Sequence, residues 1–394
     1  PYYAIDVLKK RASNHQAVVV LGSATPNIES YARASKKHYE LLELKNRALD
    51  AKMPTVKLVN MLEEFKSGNK ELFSQTLLNG IQERLSRNEQ VILLLNRRGY
   101  ANFVMDRSCG HVIKCKNCDI SMTYHKQSNR LKCHYCSYER PMPSKCDKCE
   151  ASTLELMGSG TQKIESLLIE KFPTAKVMRM DTDNTKRKHA HEKILADFER
   201  KGDILIGTQM IAKGLDFPKV TLVGILQADE HLHLPDFRAP EKTFQLIMQV
   251  SGRSGRRASQ GEVIIQAHDP NHYAINFAAN HDYKGFYEYE MRLRRIGRYA
   301  PFYYLSEISL SGKSINEIMS SGIQIVNHLR RNLSSEAIVL GPSSEVRKIN
   351  NWYTTTLMIK YKNEPGLFTL VNELKSKYQN DFLSIRIDNH LDAG

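Results

Sequence analysis

All seven cysteines of this 394-residue chain fall in one short segment, and their spacing constrains the fold more than any other feature. A Cys-x2-Cys turn directs two sulfurs at one tetrahedral metal ion, and two such turns about 15–20 residues apart complete a four-thiolate zinc site. Disulfides are not expected among thiols in a reducing compartment. The spacing therefore predicts a structural zinc site, rather than a set of unrelated buried thiols, formed by Cys115, Cys118, Cys133 and Cys136.

The remaining three cysteines predict a second zinc site, nested around the first in sequence and short of one ligand. Cys109, Cys146 and Cys149 supply thiolates, and Asp106 stands three positions before Cys109, where a further Cys-x2-Cys pair would begin. A carboxylate oxygen binds zinc at about 2.0–2.2 Å, so Asp106 can complete a Cys3Asp site. In the alternative, Asp106 only caps a turn, and His111 or water is the fourth ligand. Because closed four-ligand sites are structural, we expect the two zinc ions to support a platform for protein or DNA contacts.

Short apolar runs alternate with helical patterns over most of the chain, which is typical of βαβ units on a parallel sheet. A β-branched run at 17–21 predicts a buried parallel strand, and a helix is expected from about Asn27. Further strands are predicted at 55–59, 91–95, 175–178, 204–207, 220–225 and 262–266. The predicted fold class is therefore α/β.

Two regions interrupt this alternation and divide the chain. Residues 106–150, which contain the cysteines, form an insertion between the strand at 91–95 and the next α/β unit. From residue 283 the pattern changes to mixed helix and strand, which predicts a C-terminal α+β domain over 283–394. Its strand-like runs lie at 304–310, 354–361 and 383–388.

The charge balance favours a polyanionic partner. The net charge is +14 at pH 7, and lysine or arginine contacts to phosphates release counterions, so nucleic acid is the first candidate. The longest apolar runs have strand length and fall far short of the roughly 20 residues of a membrane span, so no membrane partner is expected. The chain has no basic leader followed by a long apolar segment, which predicts a cytoplasmic location. It opens at Pro1 without an initiator methionine, which we interpret as part of a longer protein.

Gly22-Ser23-Ala24-Thr25 is the first of three blocks that resemble helicase motifs facing the cleft between two RecA-like lobes. Short hydroxyl side chains at a strand end, here Ser23 and Thr25, can hydrogen-bond the carboxylates of an ATP-binding block and pass nucleotide state to a DNA site. On its own such a turn is equally typical of a helix N-cap.

The second block follows the predicted strand at 204–207 and runs from Gly207 to Pro218. A glycine-flanked loop at the carboxyl end of a strand is where α/β sheets place ligands. Thr208 and Gln209 can donate hydrogen bonds to DNA phosphates. Gly214 and Asp216 belong to the same loop, where the carboxylate can sense nucleotide or coordinate the lobes.

The third block, Gln249-Val250-Ser251-Gly252-Arg253-Ser254-Gly255-Arg256, is the most specific of the three. Two arginines three positions apart on a glycine-punctuated turn can reach nucleotide phosphates held by an opposing lobe. Arg256 is expected to act as an arginine finger, which neutralises charge on the transferring γ-phosphoryl group, and Gln249 is expected to help position the attacking water. The alternative is a solvated basic turn.

The order of these blocks, with Asn96-Arg97-Arg98-Gly99-Tyr100 and the nested cysteines between them, resembles the PriA family of replication-restart helicases in superfamily 2. The resemblance covers essentially the whole chain and implies the C-terminal portion of such a helicase. It implies the end of a first RecA-like lobe at 1–45, a second RecA-like lobe at 46–105 and 151–282, and the zinc module at 106–150. The stretch from Asp229 to Arg238 then links the nucleotide and DNA faces of the second lobe.

The resemblance also implies activity and partners. It implies an ATP-dependent 3′–5′ DNA helicase that recognises stalled and branched forks and starts replisome assembly. Its expected partners are forked and single-stranded DNA, single-strand DNA-binding protein, and primosome and helicase-loader proteins.

This sequence departs from the family pattern in three ways, of which Ala300 in place of the first proline of a Pro-Pro pair has no evident functional consequence. It contains no Walker A loop and no Asp-Glu-x-His box, so ATP and Mg²⁺ are expected only with an additional N-terminal half, and the chain alone is expected to hydrolyse no ATP. Asp106 also replaces the usual cysteine. Two other functions stay open: a catalytically silent zinc-ribbon scaffold, and a motor of another translocase class.

A basic and aromatic segment lies between 283 and 304. Aromatic stacking on bases together with arginine–phosphate pairing suits single-stranded DNA. An amphipathic helix that packs its aromatic side chains into a core explains the same pattern equally well. The residues concerned are Phe286, Tyr287, Tyr289, Arg292, Arg294, Arg295, Arg298, Tyr299 and Phe302.

Overall fold

The structure, a computed structural model, describes most of the chain. The described residues are 4–44, 53–95, 104–115, 121–125, 129–132, 138–156, 161–181, 185, 189–208, 211, 217–233, 236–252, 261–344, 346–349, 352–379 and 383–390. Over these residues, no helix combines the length and the apolar character that a membrane crossing requires.

The described helices alternate with strands through the first three quarters of the chain. The helices are α1 (Ala4–Asn14), α2 (Ile28–Ser35), α3 (Met61–Lys66), α4 (Gln75–Ser86), α5 (Thr161–Lys171), α6 (Ala190–Lys201), α7 (Ala239–Ser251), α8 (Tyr273–Ala279), α9 (Tyr283–Ile296), α10 (Ile315–Asn332) and α11 (Leu367–Tyr378), with a 3₁₀ helix at Glu230–His233. The strands are β1 (Thr55–Asn60), β2 (Gln90–Leu95), β3 (Val104–Asp106), β4 (Thr123–His125), β5 (Arg130–Lys132), β6 (Glu139–Pro141), β7 (Leu154–Leu156), β8 (Val177–Met180), β9 (Ile204–Gly207), β10 (Val220–Leu226), β11 (Glu262–Ala267), β12 (Tyr304–Gly312), β13 (Ile338–Leu340), β14 (Arg347–Ile349), β15 (Trp352–Tyr361) and β16 (Leu383–His390).

Six of these strands form a parallel sheet in the order β1-β11-β10-β2-β9-β8. The four central strands, β11, β10, β2 and β9, are buried along their whole length because helices cover both faces of the sheet. On one face Leu93 and Ile264 pack against α4 and α5. On the other, Val223 and Ile265 pack against α6, α7 and α8. The predicted α/β class is confirmed, and five predicted strands end within one residue of the observed positions, whereas β8 begins two residues later than predicted.

The predicted buried strand at 17–21 is wrong. This run has no regular secondary structure, and Val18 and Val20 are 89% and 83% exposed. A β-branched run forms a strand only when a neighbour completes its hydrogen-bond ladder, and among the described residues no strand pairs with it. The predicted helix does follow, because α2 begins at Ile28 and the Asn27 side chain caps it by accepting from the Ser30 backbone N–H.

The cysteine-rich segment leaves and re-enters the parallel-sheet unit through a short ribbon. Its ends pair as β3 and β7, with Val104 opposite Leu156. Beyond them, β4, β5 and β6 form a small antiparallel sheet. This ribbon brings Asp106 and Cys109, at the start of the cysteine-rich segment, close to Cys146 and Cys149 near its end.

The last part of the chain forms a mainly antiparallel sheet in the order β13-β15-β12-β16, with β14 also paired to β15. Leu310 and Leu357 on this sheet pack against α10 and α11. Helix α9 is placed differently, because Phe286 lies in the core of the parallel-sheet unit with Phe244 and Ala274. The domain boundary at 283 stays a prediction, and this packing groups α9 with the preceding unit.

Candidate metal centre and helicase motifs

Four side chains of the cysteine-rich segment converge in the geometry of a metal site. The donor atoms of Asp106, Cys109, Cys146 and Cys149 all lie within 4.8 Å of one another. Cys109 Sγ lies 3.7 Å from Cys146 Sγ, and Cys149 Sγ lies 3.6 Å from Asp106 Oδ1. A tetrahedral zinc ion with bonds of about 2.3 Å to sulfur and about 2.1 Å to oxygen requires separations of about 3.8 Å and about 3.6 Å. These donors therefore fit zinc in number and type, and the two separations match those of a tetrahedral ion.

The Asp106 carboxylate also organises the turn that carries Cys109. Its Oδ1 accepts from the backbone N–H groups of Ser108 and Cys109 at 2.9 and 3.0 Å, and its Oδ2 accepts from the Thr153 hydroxyl at 2.7 Å. Burial acts to raise the pKa of Asp106, but hydrogen bonds from Ser108, Thr153 and Cys109 outweigh it and lower the pKa to about 2. The side chain thus has the geometry of a turn cap and of an ionised ligand together. Among the described side chains, His111 does not belong to this donor group.

The inner predicted zinc site lies mostly outside the described residues. Cys115 is described and buried, and it packs with Ile113 and Met122 in a small apolar core. Cys118, Cys133 and Cys136 lie outside the described part of the chain, so the inner site stays a prediction from spacing.

The Gly22–Thr25 block lies on an exposed turn that contacts α7. The Ser23 hydroxyl accepts from the Thr25 backbone N–H at 3.1 Å, which closes the turn locally. The Thr25 carbonyl accepts from the Gln245 side chain at 3.4 Å, and the next carbonyl, of Pro26, accepts from the Tyr283 hydroxyl at 2.8 Å. Gln245 lies one helical turn before Gln249 on α7. The first block therefore contacts the same helix on which the third block begins.

Of the second block, Thr208 is described and Gln209, Gly214 and Asp216 lie outside the described residues. Thr208 is half-buried and follows the carboxyl end of β9, where its carbonyl accepts from the Ile211 backbone N–H at 3.0 Å. This is the sheet edge at which open α/β sheets bind ligands.

Asp229 lies just beyond the carboxyl end of β10 and is buried. Its Oδ2 accepts from the backbone N–H groups of His268 and Asp269, both at 2.9 Å. Burial acts to raise the pKa of Asp229, but hydrogen bonding to His268 outweighs it and lowers the pKa. The carboxylate therefore links the end of β10 to the end of β11, which is a structural role. The role in nucleotide coupling that was predicted for Asp229 stays a prediction.

The third block begins on α7. Gln249 is exposed near the end of that helix, while Arg253 and Arg256 lie outside the described residues. Arg238 directly precedes α7, and its guanidinium lies 3.8 Å from the Glu29 carboxylate and over the Phe237 ring. Arg238 thus faces a protein carboxylate, and its contact with DNA stays a proposal.

Comparison with known proteins identifies the cysteine-rich region and the helicase region of the chain. The model of the PriA DNA helicase Cys-rich region matches residues 115–141, and the helicase conserved C-terminal domain matches residues 152–258. Replication restart protein PriA of Bacillus subtilis is 49% identical over 382 residues, which is 96% of this chain and 48% of the relative. The chain belongs to the PriA family. The resemblance to the C-terminal portion of PriA that the motifs indicated is thereby confirmed.

Other PriA relatives match over a similar extent. Replication restart protein PriA of Chlamydia pneumoniae is 45% identical over 85% of this chain and 45% of the relative, and that of Synechocystis is 39% identical over 91% and 44%. The chain thus spans about half the length of the curated relatives it matches. The solved structure of RecG bound to a three-way DNA junction is 14% identical, with a TM-score of 0.39, over 69% of this chain and 26% of RecG.

Membership in the PriA family supports a zinc-binding cysteine-rich region, and the PriA model spans all four cysteines of the inner site. The outer donor group begins nine residues before that match, at Asp106, and its support is the geometry of its own side chains.

The sequence of this PriA-family chain did not predict one feature, a buried charge cluster around Arg294. The Arg294 side chain is only 2% exposed. Its Nε donates to Glu290 at 2.9 Å, its Nη1 to Glu29 at 3.0 Å and its Nη2 to Glu241 at 2.6 Å. The Arg294 guanidinium is therefore not available to DNA phosphates. The alternative of an amphipathic helix holds for the buried side of α9, including Phe286, which stacks on Phe244 with ring centroids 4.2 Å apart.

Proposed function

We propose that this chain supplies the second motor lobe and C-terminal domain of an ATP-dependent 3′–5′ DNA helicase. The helicase binds branched or stalled replication forks and restarts replication by assembling a primosome. The observation that carries the proposal is the 49% identity, over 96% of the chain, to a protein named for replication restart. The net charge of +14 agrees with a nucleic-acid partner.

In this proposal the residues after α7 serve ATP hydrolysis. Arg256 acts as the arginine finger, Arg253 contacts the nucleotide phosphates, and Gln249 orients the attacking water. A guanidinium suits this role because its planar fork pairs two phosphate oxygens and stays charged at all working pH values. ATP with Mg²⁺, held by a Walker-type half that this sequence lacks, supplies the γ-phosphoryl group.

The other motif residues carry the signal between nucleotide and DNA. We assign Ser23, Thr25, Gly214, Asp216 and Asp229 to nucleotide sensing and lobe coupling. We assign Thr208, Gln209 and Arg238 to contacts with the DNA backbone. Thr208 is supported by its place at the carboxyl end of β9, the edge where α/β sheets bind ligands.

The zinc module is proposed to hold two structural ions. Cys115, Cys118, Cys133 and Cys136 bind one. Asp106, Cys109, Cys146 and Cys149 bind the other, which is supported by donor atoms that all lie within 4.8 Å of one another. Neither site leaves an open coordination position, so zinc here orders the fold and takes no part in hydrolysis.

Forked and single-stranded DNA, single-strand DNA-binding protein, and primosome and helicase-loader proteins are the proposed partners. The proposed location is the cytoplasm. These follow from the family, whose curated members carry the name replication restart protein.

A chimera tests the motor assignment, with this chain replacing the matching half of the Bacillus subtilis relative. We expect DNA-stimulated ATP hydrolysis from the chimera and none from the chain alone. Arg256→Ala should lower kcat by about 10³–10⁵-fold, the usual contribution of an arginine finger, while fork binding stays near normal. The control is Arg200→Ala, which removes the same charge from an exposed position on α6.

Each outcome decides a separate point. Retained turnover in Arg256→Ala would exclude the finger assignment, and turnover by the chain alone would contradict its dependence on the missing half. A chimera that binds forks but hydrolyses no ATP would favour the silent scaffold.

A further inference from the structure

The Arg294 cluster joins three parts of the chain that are far apart in sequence. Glu29 lies on α2, Glu241 on α7, and Glu290 with Arg294 on α9. All four side chains are buried. Glu29 and Glu241 repel each other when both are ionised, and the Arg294 guanidinium pairs with both of them while that of Arg238 lies 3.8 Å from Glu29. In a region of low dielectric constant a counter-ion offsets this repulsion, and its removal leaves the carboxylates uncompensated.

Backbone contacts of the same segment depend on this junction. The Ile28 backbone N–H, in the first turn of α2, donates to Glu241 Oε1 at 2.9 Å. The Pro26 carbonyl accepts from Tyr283 on α9. Tyr31 on α2 packs edge-on against Tyr283 and Tyr287. Because α2 has only eight residues, it is too short to persist in water without such contacts.

The position of α7 is thereby linked to the Gly22–Thr25 turn. Glu241 and Gln245 lie one helical turn apart on α7, and both contact the 25–29 segment. Gln249 follows one further turn along the same helix, so a shift of α7 at Glu241 moves Gln249 and the start of the arginine-bearing block. Arg294 Nη1 also donates to the Ala300 carbonyl, in the connection to the C-terminal sheet.

We propose that Arg294 is a positioning residue, which fastens the Gly22–Thr25 turn and α2 to α7 and so sets the place of the third helicase block. Arg294 touches neither nucleotide nor DNA in this role. Its effect on turnover rests on the proposed function, whereas its effect on the docking of α2 does not.

Hydrogen exchange of the intact 394-residue chain tests the docking of α2. In Arg294→Met the amides of α2 should exchange at least about a hundred-fold faster, because breaking a buried ion pair leaves carboxylates uncompensated. Exchange in β12 and β15 should be unchanged. The matched control is Arg292→Met, which removes the same charge from an exposed position two residues away on α9.

Two further variants separate charge neutralisation from packing. Arg294→Met with Glu241→Gln removes one of the repelling charges and retains an acceptor for the Ile28 N–H, so it should recover part of the lost protection. Arg294→Lys keeps one charge but reaches fewer carboxylates, and it carries the test if Arg294→Met does not fold. The proposal would be overturned if α2 exchange were unchanged in Arg294→Met, or in Arg294→Lys where only that variant folds. It would also be overturned if Arg292→Met accelerated α2 exchange equally.

The chimera with the Bacillus subtilis half tests the link to turnover. Arg294→Lys should lower the kcat of DNA-stimulated ATP hydrolysis by about ten- to a hundred-fold, the cost of a small misplacement, with KM for ATP unchanged. Faster α2 exchange with unchanged kcat would overturn the positioning role and leave the proposed function intact. Without turnover in the unmutated chimera, the proposed function fails, and the exchange data alone decide the docking of α2.

Discussion

Replacing Asp106 with asparagine separates the two roles that its carboxylate can have. Asparagine keeps an acceptor oxygen for the backbone N–H groups of Ser108 and Cys109, and asparagine and aspartate cap turns about equally well. The Thr153 hydroxyl, which donates to Asp106 Oδ2, can instead accept from the new amide and donate to Ser108 Oγ, 3.2 Å away. A residue that serves only as a cap therefore tolerates the change at a cost of about 0.5 kcal/mol or less.

A zinc ligand does not tolerate it, because the amide is neutral and a weak donor to the metal. Structural zinc sites bind with roughly 10–16 kcal/mol, so one ligand in four contributes on the order of 3 kcal/mol, which is at least about a hundred-fold in affinity. We expect Asp106→Asn to hold one zinc ion per chain at a free zinc concentration where the unmodified chain holds two. Asp106→Cys should keep both ions, since it supplies a fourth thiolate.

The assay is metal content per chain by mass spectrometry, after dialysis against buffered zinc, with affinity from competition with a chromophoric chelator. Asp147→Asn is the control, because Asp147 is an exposed carboxylate of the same module that pairs with Arg140. Two zinc ions of unchanged affinity in Asp106→Asn would refute the assignment of Asp106 as a ligand and leave the turn cap as its role.

Two further predictions concern stability. Phe286→Ala should destabilise the chain by about 3–5 kcal/mol in denaturant titration, since its ring is buried. The control, Phe368→Ala at a half-exposed site, should cost far less. Weakened DNA binding at unchanged stability would contradict packing as the role of Phe286. Asp229→Asn should cost about 1–3 kcal/mol at neutral pH. Because the pKa of Asp229 is lowered on folding, its contribution is present above about pH 4 and is lost as the pH falls below that, so the difference between wild type and variant should shrink in acid. A difference that is constant with pH would be inconsistent with an ionised Asp229.

Local patterns in the sequence were sufficient for the strands of the parallel sheet and for the start of α2. A strand covered on both faces reads as a continuous apolar run, and Val91 to Leu95 is buried throughout. Asn27 before an apolar helix predicts its cap, and that cap is present. Cysteine spacing likewise predicted the outer donor group. Its members lie near the two ends of the cysteine-rich segment, and the pairing of β3 with β7 brings those ends together.

Where distant segments meet, the sequence alone was insufficient. The run at 17–21 has the composition of a buried strand, yet it is exposed, since no described strand pairs with it. The sequence left the segment of Arg294 open between contact with DNA phosphates and packing of an amphipathic helix, and the fold surrounds Arg294 with carboxylates from α2, α7 and α9.

By itself, then, the sequence predicted the α/β class from periodicity and the zinc-binding residues from spacing within short segments, and the order of its motifs resembled the PriA family. Only the tertiary structure decided that the Asp106 carboxylate lies within 4.8 Å of three cysteine sulfurs, and that Arg294 is an internal counter-ion. The physical reason is that burial and electrostatic environment depend on which remote segments pack together, and neither periodicity nor spacing records that.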